Sequence, residues 1–183
     1  SFAYRWDQTT AGQSGFHIMG FFANLLPILE AARAQGRRTF LLAHSMGNWA
    51  LQAAVEAWFA HGNGDAHLFD EAFLAAPDEI HTTFDFGPFG RLSALGRLAR
   101  RISILHNKGD KVLDILSETL NGSRRLGQDG PRGLSDAGQF PPATYHMVDC
   151  SGFADYVADF QGSHQYYRRS AGVRAAMTTV MAS

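Results

Sequence analysis

From Phe40 to Asn48 the chain reads Phe-Leu-Leu-Ala-His-Ser-Met-Gly-Asn, an unbroken apolar run that ends on a serine set among small residues. A helical pattern follows at once. A continuous apolar run is what a parallel strand covered on both faces looks like. To pass from that strand straight into a helix the backbone must turn sharply. The residues two before and two after the serine then approach each other, and large side chains would clash. Ala43 and Gly47 meet that demand. The turn lifts the Ser45 hydroxyl above the sheet, and the N-terminus of the next helix favours negative charge developing there. Ser45 is therefore a candidate nucleophile.

The rest of the chain alternates strands and helices. Strands are expected at Phe2–Trp6, Arg38–His44, Glu71–Ala76, Arg101–His106 and Thr144–Asp149. Helices are expected at His17–Gln35, Asn48–His61, Leu92–Arg100, Val112–Leu120 and Tyr166–Met181. The first helix carries Phe21, Phe22, Leu25, Leu26 and Leu29 at spacings of three and four, and Pro27 should kink it or start a second segment. Asp7–Ser14 reads as a loop. So does 121–142, with five glycines and three prolines. This alternation predicts an α/β fold, a mostly parallel sheet flanked by helices and joined by right-handed crossovers.

At 183 residues, 45% hydrophobic and 18% charged, the chain is expected to form one domain over 1–183 with an ample apolar core. A formal net charge of −1 gives no support to nucleic acid or anionic membrane as a partner. The single cysteine, Cys150, excludes an internal disulfide and a cysteine-based zinc cluster. No apolar run approaches the ~20 residues of a bilayer span, so no transmembrane segment is expected. The first residue is Ser1 and no signal sequence is visible. The chain is expected to lack its natural start, which leaves the compartment open with the cytoplasm slightly favoured.

A serine hydroxyl needs a base, usually a histidine oriented by a carboxylate. In a parallel sheet these groups gather beyond the carboxyl ends of the strands. Asp110 lies in the loop after the Ile102–Leu105 strand, and His164 in the loop after the last strand. The order Ser45, Asp110, His164 is that of an α/β hydrolase and differs from the chymotrypsin and subtilisin orders. Asp78 also follows a strand and is the alternative acid. His44, next to the serine, should point away from it. His106 follows a strand and suits the core better than the site.

These residues resemble the α/β-hydrolase superfamily, and within it a bacterial esterase/lipase-like branch whose elbow reads Ala-His-Ser-Met-Gly-Asn. The similarity runs from about Phe2 to Met181. Its further marks are Leu74-Ala75-Ala76-Pro77-Asp78, Gly109-Asp110, Arg125-Leu126-Gly127 and Gly162-Ser163-His164. The resemblance implies Ser45 as nucleophile, Asp110 as acid, His164 as base and the Met46 N–H as an oxyanion donor. It implies hydrolase chemistry and not a substrate. The sequence as a whole is read as a serine hydrolase of a small-molecule carboxylic ester that needs no cofactor and no metal. The superfamily's earlier strands, and the loop that supplies a second oxyanion donor, have no counterpart here. Residues 1–183 alone are thus expected to be a weak catalyst and prone to self-associate. Residues 79–100, with Phe84, Phe86, Phe89, Leu92 and Leu95, form a cap or simply cover the sheet. Arg124 and Arg125 lie on a solvated loop or meet an anionic substrate group. A non-catalytic binding module of the same fold, and an acyltransferase or thioesterase using the same triad, remain the alternatives.

Overall fold

Four strands, β1 (Phe40–His44), β2 (Glu71–Ala75), β3 (Ile102–His106) and β4 (Tyr145–Asp149), form one parallel sheet in the order β1-β2-β3-β4. Its register sets Ala43 beside Leu74, Leu74 beside Ile104 and Ile104 beside Met147. The computed structural model describes residues 2–85, 87, 91–118 and 122–183. The helices are α1 (Phe2–Gln13), α2 (Gly15–Ala34), α3 (Gly47–Ala60), α4 (Leu126–Asp129), α5 (Tyr166–Arg169) and α6 (Ala171–Ala182). A 3₁₀ segment spans Arg91–Arg97 and a π-helical one Leu113–Glu118.

Right-handed crossovers that advance in one direction put their connections on one face of the sheet. On that face Ala72, Leu74, Ile102 and Ile104 pack with Leu51, Val55 and Trp58 of α3 and with Leu92 and Leu95. Met19 and Phe22 of α2 join the same cluster, so α2 reaches the core by way of α3. The opposite face carries Phe73 and Leu105, covered by Tyr166 of α5 and Val173 of α6. The two central strands are buried at every position. Glu71 is tolerated there because Arg101 and Ser103 both donate to its carboxylate, at 2.8 and 2.7 Å. Strand β1 stands at the sheet edge, with Phe40 and Leu42 about two-fifths exposed.

The expected strand Phe2–Trp6 and the expected loop Asp7–Ser14 are both helix, the span of α1. A short apolar run does not distinguish a strand from a helical face, and here the contacts of α1 decide. Its Tyr4 hydroxyl donates to the Asp78 carboxylate, far along the chain. Helix α2 runs unbroken past Pro27. By length and composition the helical stretch Ala3–Ala34 suffices to cross a membrane. In this fold it buries Gly15, Met19 and Phe22 and leaves Trp6, Phe16, Phe21 and Ile28 exposed.

The expected C-terminal helix is divided at Ser170, which accepts a hydrogen bond from the Val173 N–H and caps α6. The expected long loop contains α4. Within 79–100, Phe84, Leu92 and Leu95 are buried in the main apolar cluster. Phe86 and Phe89, and the last two residues of the expected Val112–Leu120 helix, lie outside the described residues.

Candidate active site

Ser45 follows β1 directly and has φ 54°, a left-handed conformation that a side chain makes costly. Such strain is on the order of 1–2 kcal/mol and persists only where the surroundings enforce it. They do so here. The Ser45 N–H donates to the Ala75 carbonyl at the end of β2, at 3.0 Å. The Ser45 carbonyl accepts from Asn48 and Asp78 N–H groups and from the Asn48 side chain. Asn48 is fully buried and also reaches the Ala43 carbonyl, so it braces the turn from inside α3. Met46 forms the N-cap position of α3.

Asp110 and His164 meet. His164 Nδ1 and Asp110 Oδ2 are 2.7 Å apart, both residues buried. The other carboxylate oxygen of Asp110 accepts the N–H groups of Val112 and Leu113, each at 3.1 Å. Three donors thus fix its orientation, the histidine and two backbone amides. An acceptor at Nδ1 keeps a proton on that nitrogen and leaves the Nε2 lone pair free to act as a base. Between the Ser45 hydroxyl and His164 there is no hydrogen bond.

Asp78 has other partners. Its carboxylate accepts from Arg125 Nε at 3.1 Å and from the Tyr4 hydroxyl, and its carbonyl accepts from the Trp49 indole. Asp78 and Arg125 are each about 1% exposed, so this is a buried ion pair. Arg125 is therefore buried in the fold and not on a solvated loop. Its neighbour Arg124 is exposed and pairs with Asp129 at 2.9 Å. Helix α4 lies so close to the end of β2 that a Cβ on Gly127 would come within 2.6 Å of the Ala76 backbone.

Tyr166 and His44 bear on the site through contacts that no local sequence signal announces, and Glu79 stands next to Asp78 in the chain. The Tyr166 hydroxyl donates to the Leu105 carbonyl at 2.7 Å and accepts the Ala76 N–H at 3.1 Å, joining the ends of β2 and β3. Burial raises its phenol well above the ordinary value. His44 bonds the carbonyl of His164 and lies against its ring. Glu79 is fully buried, and among the described residues neither of its carboxylate oxygens has a hydrogen-bond partner. Desolvation pushes its pKa up to about 8.

His106 is buried at the end of β3, and desolvation holds its imidazole below the ordinary value. A cleft of about 380 Å³ runs beside the serine turn, lined by Phe21, Leu42, Ala43, His44, Gly47 and Leu51 among others. Among the described residues, no group of three or more His, Cys, Asp or Glu is disposed to hold a metal ion.

A parallel sheet flanked by helices, with a strained serine turn and an Asp–His pair after its strands, has the architecture of an α/β hydrolase. Over residues 1–180 the chain matches the family described as alpha/beta hydrolase of unknown function (DUF900), and it belongs to that family. Neither a curated protein nor a solved structure matches it.

Proposed function

We propose that the protein is a serine hydrolase of carboxylic esters, acting through an acyl-enzyme at Ser45 within a single domain that includes residues 79–100. The observation that carries this reading is the buried 2.7 Å contact between His164 Nδ1 and Asp110. It fixes the tautomer that a base needs, on loops that share the carboxyl end of the sheet with Ser45.

In this mechanism His164 Nε2 takes the Ser45 Oγ proton as Oγ attacks the acyl carbon. The tetrahedral oxyanion lies at the Met46 N–H. His164 then returns the proton to the leaving alcohol, and water, activated by the same imidazole, releases the acid. Asp110 remains ionised throughout and stabilises the imidazolium. The apolar cleft beside the turn suits the acyl group of a small-molecule ester. In this reading Asp78 is a structural ion-pair partner, because Arg125 and Tyr4 occupy its carboxylate.

Thioester hydrolysis and acyl transfer use the same groups and are finer outcomes of the same chemistry. The competing reading is a non-catalytic module of the same fold. It draws on the missing Ser45–His164 hydrogen bond, although such bonds are often long in unliganded enzymes and tighten only with substrate. A fluorophosphonate probe separates the two. Labelling mapped to Ser45 and abolished by His164→Ala supports the hydrolase. A folded protein that takes no label is a binding module.

A further inference from the structure

We infer that His44 is a positioning residue for the base, fastening the His164 segment to the strand that carries Ser45. The inference rests on the hydrolase reading above and adds a role that the triad alone does not contain.

His44 Nε2 lies 3.0 Å from the His164 carbonyl oxygen. A carbonyl only accepts, so His44 carries its proton on Nε2 and donates it. The two imidazole centroids are 4.7 Å apart, tilted by 47°. The His44 ring also lies 4.7 Å from the Tyr167 ring, tilted by 35°. One side chain thus holds both the main chain and the ring of His164, together with its neighbour Tyr167.

The other side of the same segment is held by the acid loop. Asn107 Nδ2 donates to the Ser163 carbonyl at 3.3 Å, and the Lys111 N–H donates to the Ser163 hydroxyl at 3.1 Å. The segment 163–164 therefore spans two anchors. One comes from the serine strand, through His44, and the other from the Asp110 loop. Removing His44 leaves the Asp110–His164 contact in place and frees the imidazole to move relative to Ser45.

The charge state of His44 fits this role. Burial holds its pKa below the ordinary histidine value, and the remaining charges near it, Asp110 and Arg168 besides His164, act in opposite senses. A neutral ring places no second positive charge against His164 as that imidazole accepts the serine proton. It also packs an apolar face on His164 without competing for Asp110.

Three variants separate the contacts. His44→Gln keeps a donor of similar reach, His44→Phe keeps a ring without a donor, and His44→Ala removes both. Three readouts apply to each: the rate of fluorophosphonate labelling at Ser45, the downfield proton resonance of His164 Nδ1–H, and thermal unfolding. Because ångström-scale misplacement costs on the order of 10²-fold, His44→Ala should slow labelling by about that factor and broaden the resonance. His44→Gln should recover to within about tenfold of the parent. Unchanged labelling in His44→Ala overturns the inference. So do losses that follow thermal stability equally in all three variants while the resonance stays sharp. A parent protein that is not labelled at Ser45, or a His164→Ala variant labelled at the parent rate, refutes the hydrolase reading and this inference with it.

Discussion

Replacing Glu79 by Gln should change how stability depends on pH. Glu79 is buried with no hydrogen-bond partner on either oxygen among the described residues. Its pKa rises from 4.5 to about 8, chiefly by desolvation, with Arg91 and Arg125 pulling it down and Asp78 and Glu56 pushing it up. In the unfolded chain the same carboxyl ionises in water near its ordinary value. Between the two pKa values the native state therefore holds a proton that the unfolded state has released. Unfolding free energy then falls with rising pH at about 1.4 kcal/mol per unit, and levels off above the native pKa. From acid to pH 7 the loss is about 3 kcal/mol, which in a chain of this size is roughly 6–12 °C in Tm. Glu79→Gln carries no ionisable group and should lack this component. The fixed cost of burying an amide in place of a neutral carboxyl cancels when the two proteins are compared across pH. The assay is urea unfolding of both at half-unit steps from pH 4.5 to 9. The stability difference should grow in favour of Glu79→Gln through pH 7 and flatten near pH 8. Parallel curves would refute the reasoning and would mean that the Glu79 carboxylate finds a partner when ionised.

Ser45→Ala should abolish hydrolysis of a short p-nitrophenyl ester while leaving the circular dichroism spectrum unchanged, and near-full activity would remove Ser45 from the mechanism. Asp110→Asn should cut kcat by on the order of 10³–10⁴ through loss of the orienting partner. Asp78→Asn should instead cost about 3 kcal/mol of stability by taking the negative charge from the buried Arg125, with a far smaller loss of kcat. The opposite ranking would make Asp78 the acid. Gly162→Ala should inactivate by displacing His164, since a Cβ there would stand 1.9 Å from the Val157 carbonyl oxygen, and an active, stable variant would show that the segment yields. The edge strand with Phe40 and Leu42 exposed should make light-scattering mass rise with concentration, and Leu42→Lys should suppress that rise.

The parts of this fold that were legible in the sequence are those whose cause lies within a few residues. Apolar residues mark β2 and β3, which are covered on both faces and buried at every position. The still more continuous run of β1 suggested the same, yet β1 is an edge strand that leaves Phe40 and Leu42 exposed. The serine turn announces itself because Ala43 and Gly47 must be small where the backbone folds on itself. Asp110 and His164 could be chosen from their places after strands, and the structure joins them through one buried hydrogen bond. What escaped the sequence is decided by partners far along the chain. Phe2–Trp6 forms a helix in a context that sets Tyr4 against Asp78. Arg125, met as one of two adjacent arginines, is buried because Asp78 takes its charge, while Arg124 beside it stays exposed with Asp129.

The same division explains why Asp78 and Asp110, which both follow strands in the sequence, differ in the fold. Both follow a strand, and both sit where a catalytic acid belongs. A buried carboxylate needs compensating charge or donors, and what supplies them sets its role. For Asp78 the supply is a fixed cation, Arg125, which leaves it nothing to exchange with a histidine. For Asp110 it is two backbone amides and an imidazole, the one arrangement of the two that can stabilise a positive charge that comes and goes. The proposed assignment of the acid therefore draws on Arg125 and Tyr4 as much as on His164.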